Sequence, residues 1–487
     1  MLEWQRNQEV YDEALRAETL KRTTYMRVGR KPIVECKRSL AESCNQWTQC
    51  LRFFFSNNML EEILHIRNVQ HAVKRVISNG GASGVDGMQI DKLRDYLNTH
   101  WQTLRSDLLC GTYRPQAVRK VEIPKANGGK RMLGIPTVID RVIQQSISQW
   151  LSVKYESDFH ENSYGFRIHR NAHQAVHKAQ EYLNTGYTWV VELDLEKFFD
   201  QVNHDKLMHL LSKKIKDRRV LELIGKYLRC GIMENGLEQK RTEGTPQGSP
   251  LSPLLSNIIL NELDTELSLR GHRFVRYADD CSIYTGSKKS AHRVMNNITS
   301  YIESALKLKV NREKSKISRP VQSSLLGFSF FKNRGHWHIR ISPKSIERIR
   351  EKVRQNTRRN SPTLMHVRLT KLRQITRGWI NYFRIATNKK VMIELDKLVR
   401  RRLRVLLWKQ WKTGRNRIRN LMKLGAKHWL AYQHAYTRKS YTRTGRSPIL
   451  ETTLTNSYFT KLGYEGFADY YYRRIKYVVH RADMAKT

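Results

Sequence analysis

The sequence predicts an α+β fold, and three features carry that prediction. Segments with strand alternation (118–136, 188–195 and 274–285) are interleaved with segments of helical spacing (58–110, 139–155 and 253–269). Turn-forming residues join the first strand pair. Beyond residue 340 the chain becomes helical and strongly basic. With 487 residues, 39% hydrophobic and 27% charged, it exceeds one ordinary domain and can bury a core.

In chain order, residues 1–57 are mixed in charge and end on Phe53-Phe54-Phe55. They read as a helical extension or an arm, with no identifiable chemistry. Residues 58–110 read as helices interrupted by the glycine-rich stretch Gly80 to Gly87. That stretch suits either a plain connector or a loop that approaches a template closely. Val118–Pro124 alternates like a strand, Asn127-Gly128-Gly129 is a hairpin turn, and Arg131–Pro136 is the return strand. A helix follows at Ile139–Tyr155 and a strand at Thr188–Leu195. Leu255, Ile258, Ile259, Leu263 and Leu267 share one helical face between Pro253 and Leu269. Phe274–Asp280 and Ser282–Thr285 form a second hairpin. In the helical region, Leu372, Ile375, Trp379 and Phe383 make one apolar stripe, and Met392, Leu395, Val399, Leu403 and Leu406 make another. Interleaved Arg400, Arg401, Arg402 and Arg404 are left to solvent or to phosphate.

The net charge of +45 is unevenly placed. Residues 331–487 hold 39 Lys and Arg against 8 Asp and Glu, while residues 1–330 hold 50 against 36. Such an excess fits a polyanionic partner that gains by counterion release, and nucleic acid is the natural candidate. The six cysteines include no C-x-x-C pair, and none lies beyond Cys281, which argues against a zinc ribbon or a disulfide framework. A reducing cytoplasm fits. No run of about 18 apolar residues suggests a membrane span. Glu3, Glu9, Asp12, Glu13 and Glu18 do not suit an organelle transit peptide.

The chemistry concentrates in aspartates. In Trp189-Val-Val-Glu-Leu-Asp194, alternation puts Glu192 and Asp194 on one face and Trp189, Val191 and Leu193 on the other. Asp194 is followed by Leu195, whose carbonyl offers a further hard oxygen. In Arg276-Tyr-Ala-Asp-Asp280, two acids occupy a hairpin tip. Counting along that strand, Asp279 shares a face with Tyr277 and Asp280 starts on the opposite face. Asp279 is therefore expected as the primary ligand and Asp280 as its assistant. Phosphoryl transfer builds negative charge on the attacking and leaving oxygens, and two Mg²⁺ ions about 3.5–4 Å apart stabilise both. Mg²⁺ prefers carboxylates, phosphates and water, with Mn²⁺ a possible substitute. Alone, an Asp-Asp dipeptide reads as an ordinary turn. The ordered set of motifs around it overturns that reading.

Those motifs are Ile123-Pro124-Lys125, Lys130 to Pro136, Asn162-Ser-Tyr-Gly-Phe-Arg167, Asp194 to His204, Gly244 to Pro253, Tyr277-Ala-Asp-Asp280 and Leu326-Gly-Phe328. In that order they resemble the group II intron reverse transcriptases, or maturases, from about residue 58 to near the C-terminus. The resemblance implies a right-hand polymerase with fingers, a palm built on an antiparallel sheet, and an α-helical thumb. It implies that Asp194, Leu195, Asp279 and Asp280 hold two Mg²⁺, and that Lys125, Arg131, Gln247 and Gly248 contact the dNTP. Phe199 would stand under the sugar and reject ribonucleotides. Tyr277, Lys314 and Gly327 would lie along primer and template, Gly327 because a residue without a side chain permits close approach. Gly378-Trp-Ile-Asn-Tyr-Phe383 resembles the maturase thumb, and Arg438 to Gly463 a DNA-binding tail. Arg400, Arg401, Arg404 and Lys439 are the expected RNA and DNA contacts.

The expected organisation is an extension (1–57), fingers and palm (58–340), thumb (341–412) and a basic DNA-binding segment (413–487). The implied partners are a group II intron RNA, target DNA and dNTPs, in a bacterial cytoplasm, with monomer or homodimer left open. The implied function is RNA-directed DNA synthesis, with assistance to intron splicing and homing. A domesticated enzyme acting in defence or repair is the alternative, and a splicing-only RNA-binding protein is a third. Intact Asp194, Asp279, Asp280, Phe199 and Gln247 argue against the third. Two departures stand out. Ser249 replaces a glycine more usual in the Pro246-Gln-Gly loop, a change small enough for activity to survive. The chain also lacks the late cysteines of a zinc-bearing H-N-H nuclease, so an outside primer, such as a replication fork, is expected.

Overall fold

The computed structural model describes residues 58–124, 129–234, 237–239 and 241–474. The expected N-terminal extension, the hairpin residues Asn127 and Gly128, and Lys125 lie outside the described residues.

The chain opens with α1 (Met59–Ile63), α2 (Ile66–Asn79) and α3 (Leu93–Cys110), then β1 (Val118–Pro124) and β2 (Lys130–Ile135). Next come α4 (Val138–Tyr155), α5 (Ala172–Asn184), β3 (Trp189–Leu193), α6 (His204–Lys214), α7 (Arg218–Arg229), β4 (Ile232–Glu234) and β5 (Leu237–Gln239). The series α8 (Ser252–Leu269), β6 (Arg273–Tyr277), β7 (Asp280–Thr285), α9 (Lys288–Ser304) and β8 (Lys316–Ser318) completes the first part. The rest is β9 (Phe328–Asn333), β10 (His336–Ile341), α10 (Pro343–Asn356), α11 (Met365–Phe383), α12 (Lys389–Gln410), α13 (Gly414–Lys423), α14 (His428–Ala435) and short helices to Lys461.

Local sequence explains the boundaries. Pro136 ends β2, and Thr137 caps α4 by accepting from the Asp140 N–H at 3.1 Å. Pro253 stands in the first turn of α8, where its missing N–H costs nothing. Ser287 caps α9, and Ser342 followed by Pro343 opens α10.

The described residues fall into two compact units: 58–175 with 189–317, and 176–188 with 318–474. The first unit holds two four-stranded sheets. One runs β2-β1-β4-β5, with β1 and β2 antiparallel and Arg119 opposite Ile135. The other runs β6-β7-β3-β8, with β3 antiparallel to β7 and β6 antiparallel to β7. α8 packs on β6, and α9 on β3 and β7. Val191, Phe274 and Ile283, directly opposed across the three strands, are wholly buried beneath them. An apolar face this complete holds the strands that carry the acids, since burying each such side chain contributes about 1.5–3 kcal/mol.

The second unit includes the β9–β10 hairpin and the helices after it. Trp337 of β10 joins it to the α5 segment, donating its N–H to Asn184 at 2.8 Å and accepting from Gln180 at 2.7 Å. On α12 the expected stripe is buried from Met392 to Leu406. On α11 the buried line is Leu369, Leu372, Thr376, Ile380 and Phe383, with Ile375 and Trp379 only half-buried. The helix is rotated slightly from the expected stripe, because Thr376 enters the core in place of Ile375.

Candidate active site

The site is built where β3, β6 and β7 meet. Register pairs Glu192 with Ser282, and Ser282 with Val275, and it pairs Tyr277 with Asp280. Directly opposed residues project to the same face of a sheet. Tyr277, Asp280 and Glu192 therefore share one face, and Asp194 lies two residues beyond Glu192. This corrects the count made along the sequence. The two-residue turn Ala278-Asp279 reverses the chain, so Asp280 opens β7 and faces with Tyr277 rather than away from it. Asp279 occupies the turn itself.

Electrostatics bears out the convergence. Asp280 is open to water at the rim, yet its carboxyl is pushed up to about 6. Partial loss of hydration is the main cause, followed by the charges of Asp279, Asp194 and Glu192, while Lys314 acts in the opposite direction. Lys314 Nζ stands 3.0 Å from Asp194 Oδ2, and Lys316 Nζ 3.3 Å from Glu192 Oε2. Lys314 thus reaches an aspartate of the site rather than open solvent. The Asp194 backbone is fixed: its N–H donates to Ser315 Oγ at 3.0 Å, and its carbonyl accepts from the Asn311 N–H at 2.8 Å. Glu196 donates to the Lys309 carbonyl, so Leu195 sits between two bridging residues, opposite Val310. By strand alternation its own carbonyl is directed away from that neighbour.

Among the described residues no group of three or more His, Cys, Asp or Glu is drawn together tightly enough to hold a metal ion unaided. The donor set nevertheless fits Mg²⁺: it is hard, oxygen-only and short of positive charge, and a lysine ammonium already stands against Asp194. Mg²⁺ keeps waters and takes substrate phosphates, so it does not require a closed protein cage.

The turn is held from behind by residues the sequence reading passed over. Arg276 and Asp264 are both fully buried and form a bidentate pair at 2.7 and 2.5 Å. The same guanidinium donates to Asn257 at 3.1 Å and to the Ala278 carbonyl at 2.9 Å. Ala278 has φ +57°, which a small side chain tolerates best in a tight turn. The Tyr164 N–H donates to the Arg276 carbonyl at 2.9 Å, and Asn257 donates to the Gly165 carbonyl at 2.8 Å. Gly165 lies so close that a Cβ there would stand 2.3 Å from the Ala278 nitrogen. The motif Asn162–Arg167 is thus a brace for the aspartate turn. Arg276 could have been singled out: a cation inside an apolar strand requires a buried partner.

A cavity of about 470 Å³ in the same unit is lined by Arg131, Phe199, Gln247 and Gly248. Gly80, Gly81 and Ala82 of the glycine-rich stretch also line it. Arg131 Nε donates to Gln247 Oε1 at 2.9 Å, and Gln247 Nε2 lies 3.4 Å from both oxygens of Asp200. Gly248 has φ +109°, and the Gly134 N–H donates to the Gln247 carbonyl at 2.9 Å, which ties the loop to β2. Ser249 is buried and donates to Gln144 at 2.5 Å, so the extra hydroxyl is satisfied inside the fold. Phe166, also on the cavity wall, has φ +57° and is exposed. A bulky residue in that backbone region is strained, and nothing in the sequence pattern announced it.

Residues 123–330 match the family "Reverse transcriptase (RNA-dependent DNA polymerase)", and residues 346–425 match "Group II intron, maturase-specific domain". Protein YkfC of Escherichia coli K12 is 34% identical over 343 residues, covering 62% of this chain and 88% of YkfC. Group II intron-encoded protein LtrA of Lactococcus lactis is 30% identical over 369 residues, covering 62% of this chain and 60% of LtrA. The chain belongs to the group II intron reverse transcriptase/maturase family. It is an RNA-directed DNA polymerase by class, and its α+β core is the reverse transcriptase fold. A telomerase from Candida albicans is similar over 60% of this chain at 13% identity, but its TM-score of 0.40 carries no argument.

The maturase-specific match falls in the second unit, on α10 to α13. There the arginines of α12 divide. Arg404 is buried and bonds the Leu454 carbonyl and Glu451, at 3.3 and 3.1 Å. Arg402 is likewise spent on Thr357. The expectation that this series faces solvent or phosphate is therefore corrected for these two, which tie α12 to neighbouring segments. Arg400 is mostly covered and stands 3.9 Å from Asp469. Arg401 lines two cavities among other arginines, and exposed Lys439 lines a third. Gly327, with φ +81°, has an internal reason to lack a side chain: a Cβ would meet Ser345 Oγ at 2.8 Å and the Phe383 ring at 3.4 Å. No described helix is long and apolar enough to cross a membrane.

Proposed function

We propose that this protein copies its own group II intron RNA into DNA at a target site and binds that RNA to assist its splicing. The observation that carries the catalytic part is the convergence of Asp194, Asp279 and Asp280 with Glu192, close enough that, after lost hydration, the charges of the other three help raise the Asp280 carboxyl to about 6. Asp194 and Asp279 would hold the metal directly, with the Leu195 carbonyl beside them. Asp280 would support them and add to the negative charge that a metal neutralises. Two bound Mg²⁺ would supply charge neutralisation for the attacking and leaving oxygens, and Mn²⁺ could replace them.

The remaining steps belong to side chains. Arg131, steered by Gln247, holds the triphosphate together with Lys125, and the Gly248 backbone gives the nucleotide room. Phe199 closes the space a 2′-hydroxyl would need. Lys314, whose ammonium stands against Asp194, would be free to meet a phosphate once a metal took over that carboxylate. Tyr277 and Gly327 line the primer strand. Arg400, Arg401 and Lys439 contribute to the field that holds intron RNA and target DNA in a bacterial cytoplasm.

Asp279→Ala tests the assignment. It should abolish primer extension on an RNA template while RNA binding persists. Near-normal product from that variant would sink the catalytic reading. Loss of intron splicing in cells lacking the protein, restored by Asp279→Ala, would support the separate splicing role.

A further inference from the structure

Helix α14 is built inside out. Its buried positions are Ala431 and Ala435, both with no exposed surface. Its outward positions are Trp429 and Tyr432, with Tyr436 at its C-cap, at 65%, 58% and 57% exposure. Spacing of three and four residues places these rings along one face. Burial of large rings is a main source of folding energy, so a short helix that buries methyls and shows rings to water forfeits it. A contiguous exposed aromatic face marks a binding surface.

The rings are also held in place. His428 stacks on Tyr432 with centroids 6.4 Å apart, and Tyr432 meets Tyr436 edge-on at 5.4 Å. Gly414, at the start of α13, lies so close to Tyr436 that a Cβ would be 2.4 Å from its ring. Arg417 of α13 donates to the Ala435 carbonyl at 3.0 Å and stacks over Trp408 at 4.7 Å, which anchors the helix pair. Ordering these rings in advance removes a cost from any ligand that stacks on them.

The surrounding charge says what that ligand is. Between Asp396 and Glu451 the sequence has no acidic residue and 16 Lys and Arg. Lys423 and Lys427 precede the rings, and Arg438 and Lys439 follow them, all exposed. A second copy of this chain, itself at +45, would be repelled by the same cations, and a protein partner would need an apolar patch ringed by acids to use both features. A nucleic acid uses both features, because bases stack on rings while phosphates meet lysine and arginine. Duplex bases are already stacked on one another, which leaves unpaired ones.

We infer that the face of α14 is a stacking platform for unpaired bases of a single-stranded nucleic acid. This deepens the reading of residues 413–487 as a nucleic-acid-binding segment: it names single strands, not duplex, as what this helix grips.

The test uses the full chain with Trp429→Ala combined with Tyr432→Ala, and Trp429→Phe as the conservative control. Binding is measured by fluorescence anisotropy on an unstructured oligopyrimidine of about twelve nucleotides, as RNA and as DNA, and on its duplex. The double variant should bind the single strand about 10- to 100-fold more weakly. Duplex affinity and the salt slope should stay unchanged, because no cation is removed. Trp429→Phe should retain most of the affinity. RNA and DNA strands losing affinity alike would mean the platform reads bases without regard to sugar, and unequal losses would assign it to the more affected strand. Unchanged single-strand binding, or equal losses on single strand and duplex, would overturn the proposal. So would a wild-type dimer that the double variant converts to monomer in sedimentation. Primer extension by the wild type is measured in parallel. Its failure would count against the polymerase reading and leave the binding comparison intact.

Discussion

Replacing Gly165 with alanine should slow catalysis without touching a single side chain proposed to bind metal or nucleotide. The new Cβ would sit 2.3 Å from the Ala278 nitrogen and 3.0 Å from the Tyr277 carbonyl carbon, where ordinary contact begins at 3.4 Å. Both obstacles are backbone, so no side chain can swing aside. The Tyr277–Asp280 turn must retreat by about 1 Å, since the motif Asn162–Arg167 is itself tied down by Asn257 and Arg276. A displacement of about 1 Å at a reacting centre costs on the order of 100-fold in rate. Overpacking of this kind costs about 1–3 kcal/mol in stability, which leaves the protein folded. Single-turnover primer extension over a range of dNTP concentrations measures the rate, and thermal unfolding measures the stability. The expected result is a maximal rate about 100-fold lower, with the dNTP concentration for half-maximal rate little changed. A Gly165→Ala variant that is fully folded and extends primer at the normal rate would refute the brace and the claim that the turn position limits catalysis.

Further expectations concern the cavity and the buried charges. Phe199→Val should admit ribonucleotides, lowering dNTP-over-rNTP discrimination by about tenfold or more, the scale of a lost steric contact; unchanged discrimination in competitive incorporation would remove Phe199 from the gate. Asp264→Ala leaves Arg276 unpaired in the core and should destabilise by about 3–5 kcal/mol, read by denaturant unfolding. Asp140 is buried in the first turn of α4, and its carboxyl is raised, chiefly by lost hydration, against the hydrogen bonds from Tyr113, Thr137 and Tyr227. A raised carboxyl contributes stability at pH below its unfolded value near 3.8, and loses it as pH climbs through the folded value. Asp140→Asn should therefore flatten part of the decline in melting temperature as pH rises from about 4 towards neutrality, and parallel profiles for both proteins would contradict this.

Most of the elements were legible in the sequence because strand alternation and helical spacing are local. Val118–Pro124, Val138–Tyr155 and Ser252–Leu269 stand within a residue or so of expectation. Arg131, Phe199, Gln247 and Gly248 were named from motifs and do line one cavity. What failed was whatever depended on a turn or a distant partner. The face of Asp280 was misjudged because parity was counted through Ala278-Asp279, where the chain reverses. The duties of Arg402 and Arg404 were misjudged because Thr357 and Glu451 are each more than 40 residues away along the chain. Gly165 gave no signal, since the obstacle that requires a glycine belongs to another strand.

The α5 segment carries a consequence for synthesis. Residues 176–188 belong to the second unit, yet they leave the ribosome long before the rest of it. Trp337, which Asn184 binds, follows it by 153 residues. At about 5–20 residues per second this is a wait of roughly 8–30 s. During that time Gln180 and Asn184 lack the strand they bond, and Val176, Ala179 and Leu183, all buried in the finished protein, wait on the same helix. A gene fragment ending at residue 317 makes the wait permanent, so expression of the polymerase unit alone should call for a chaperone or for removal of that apolar face.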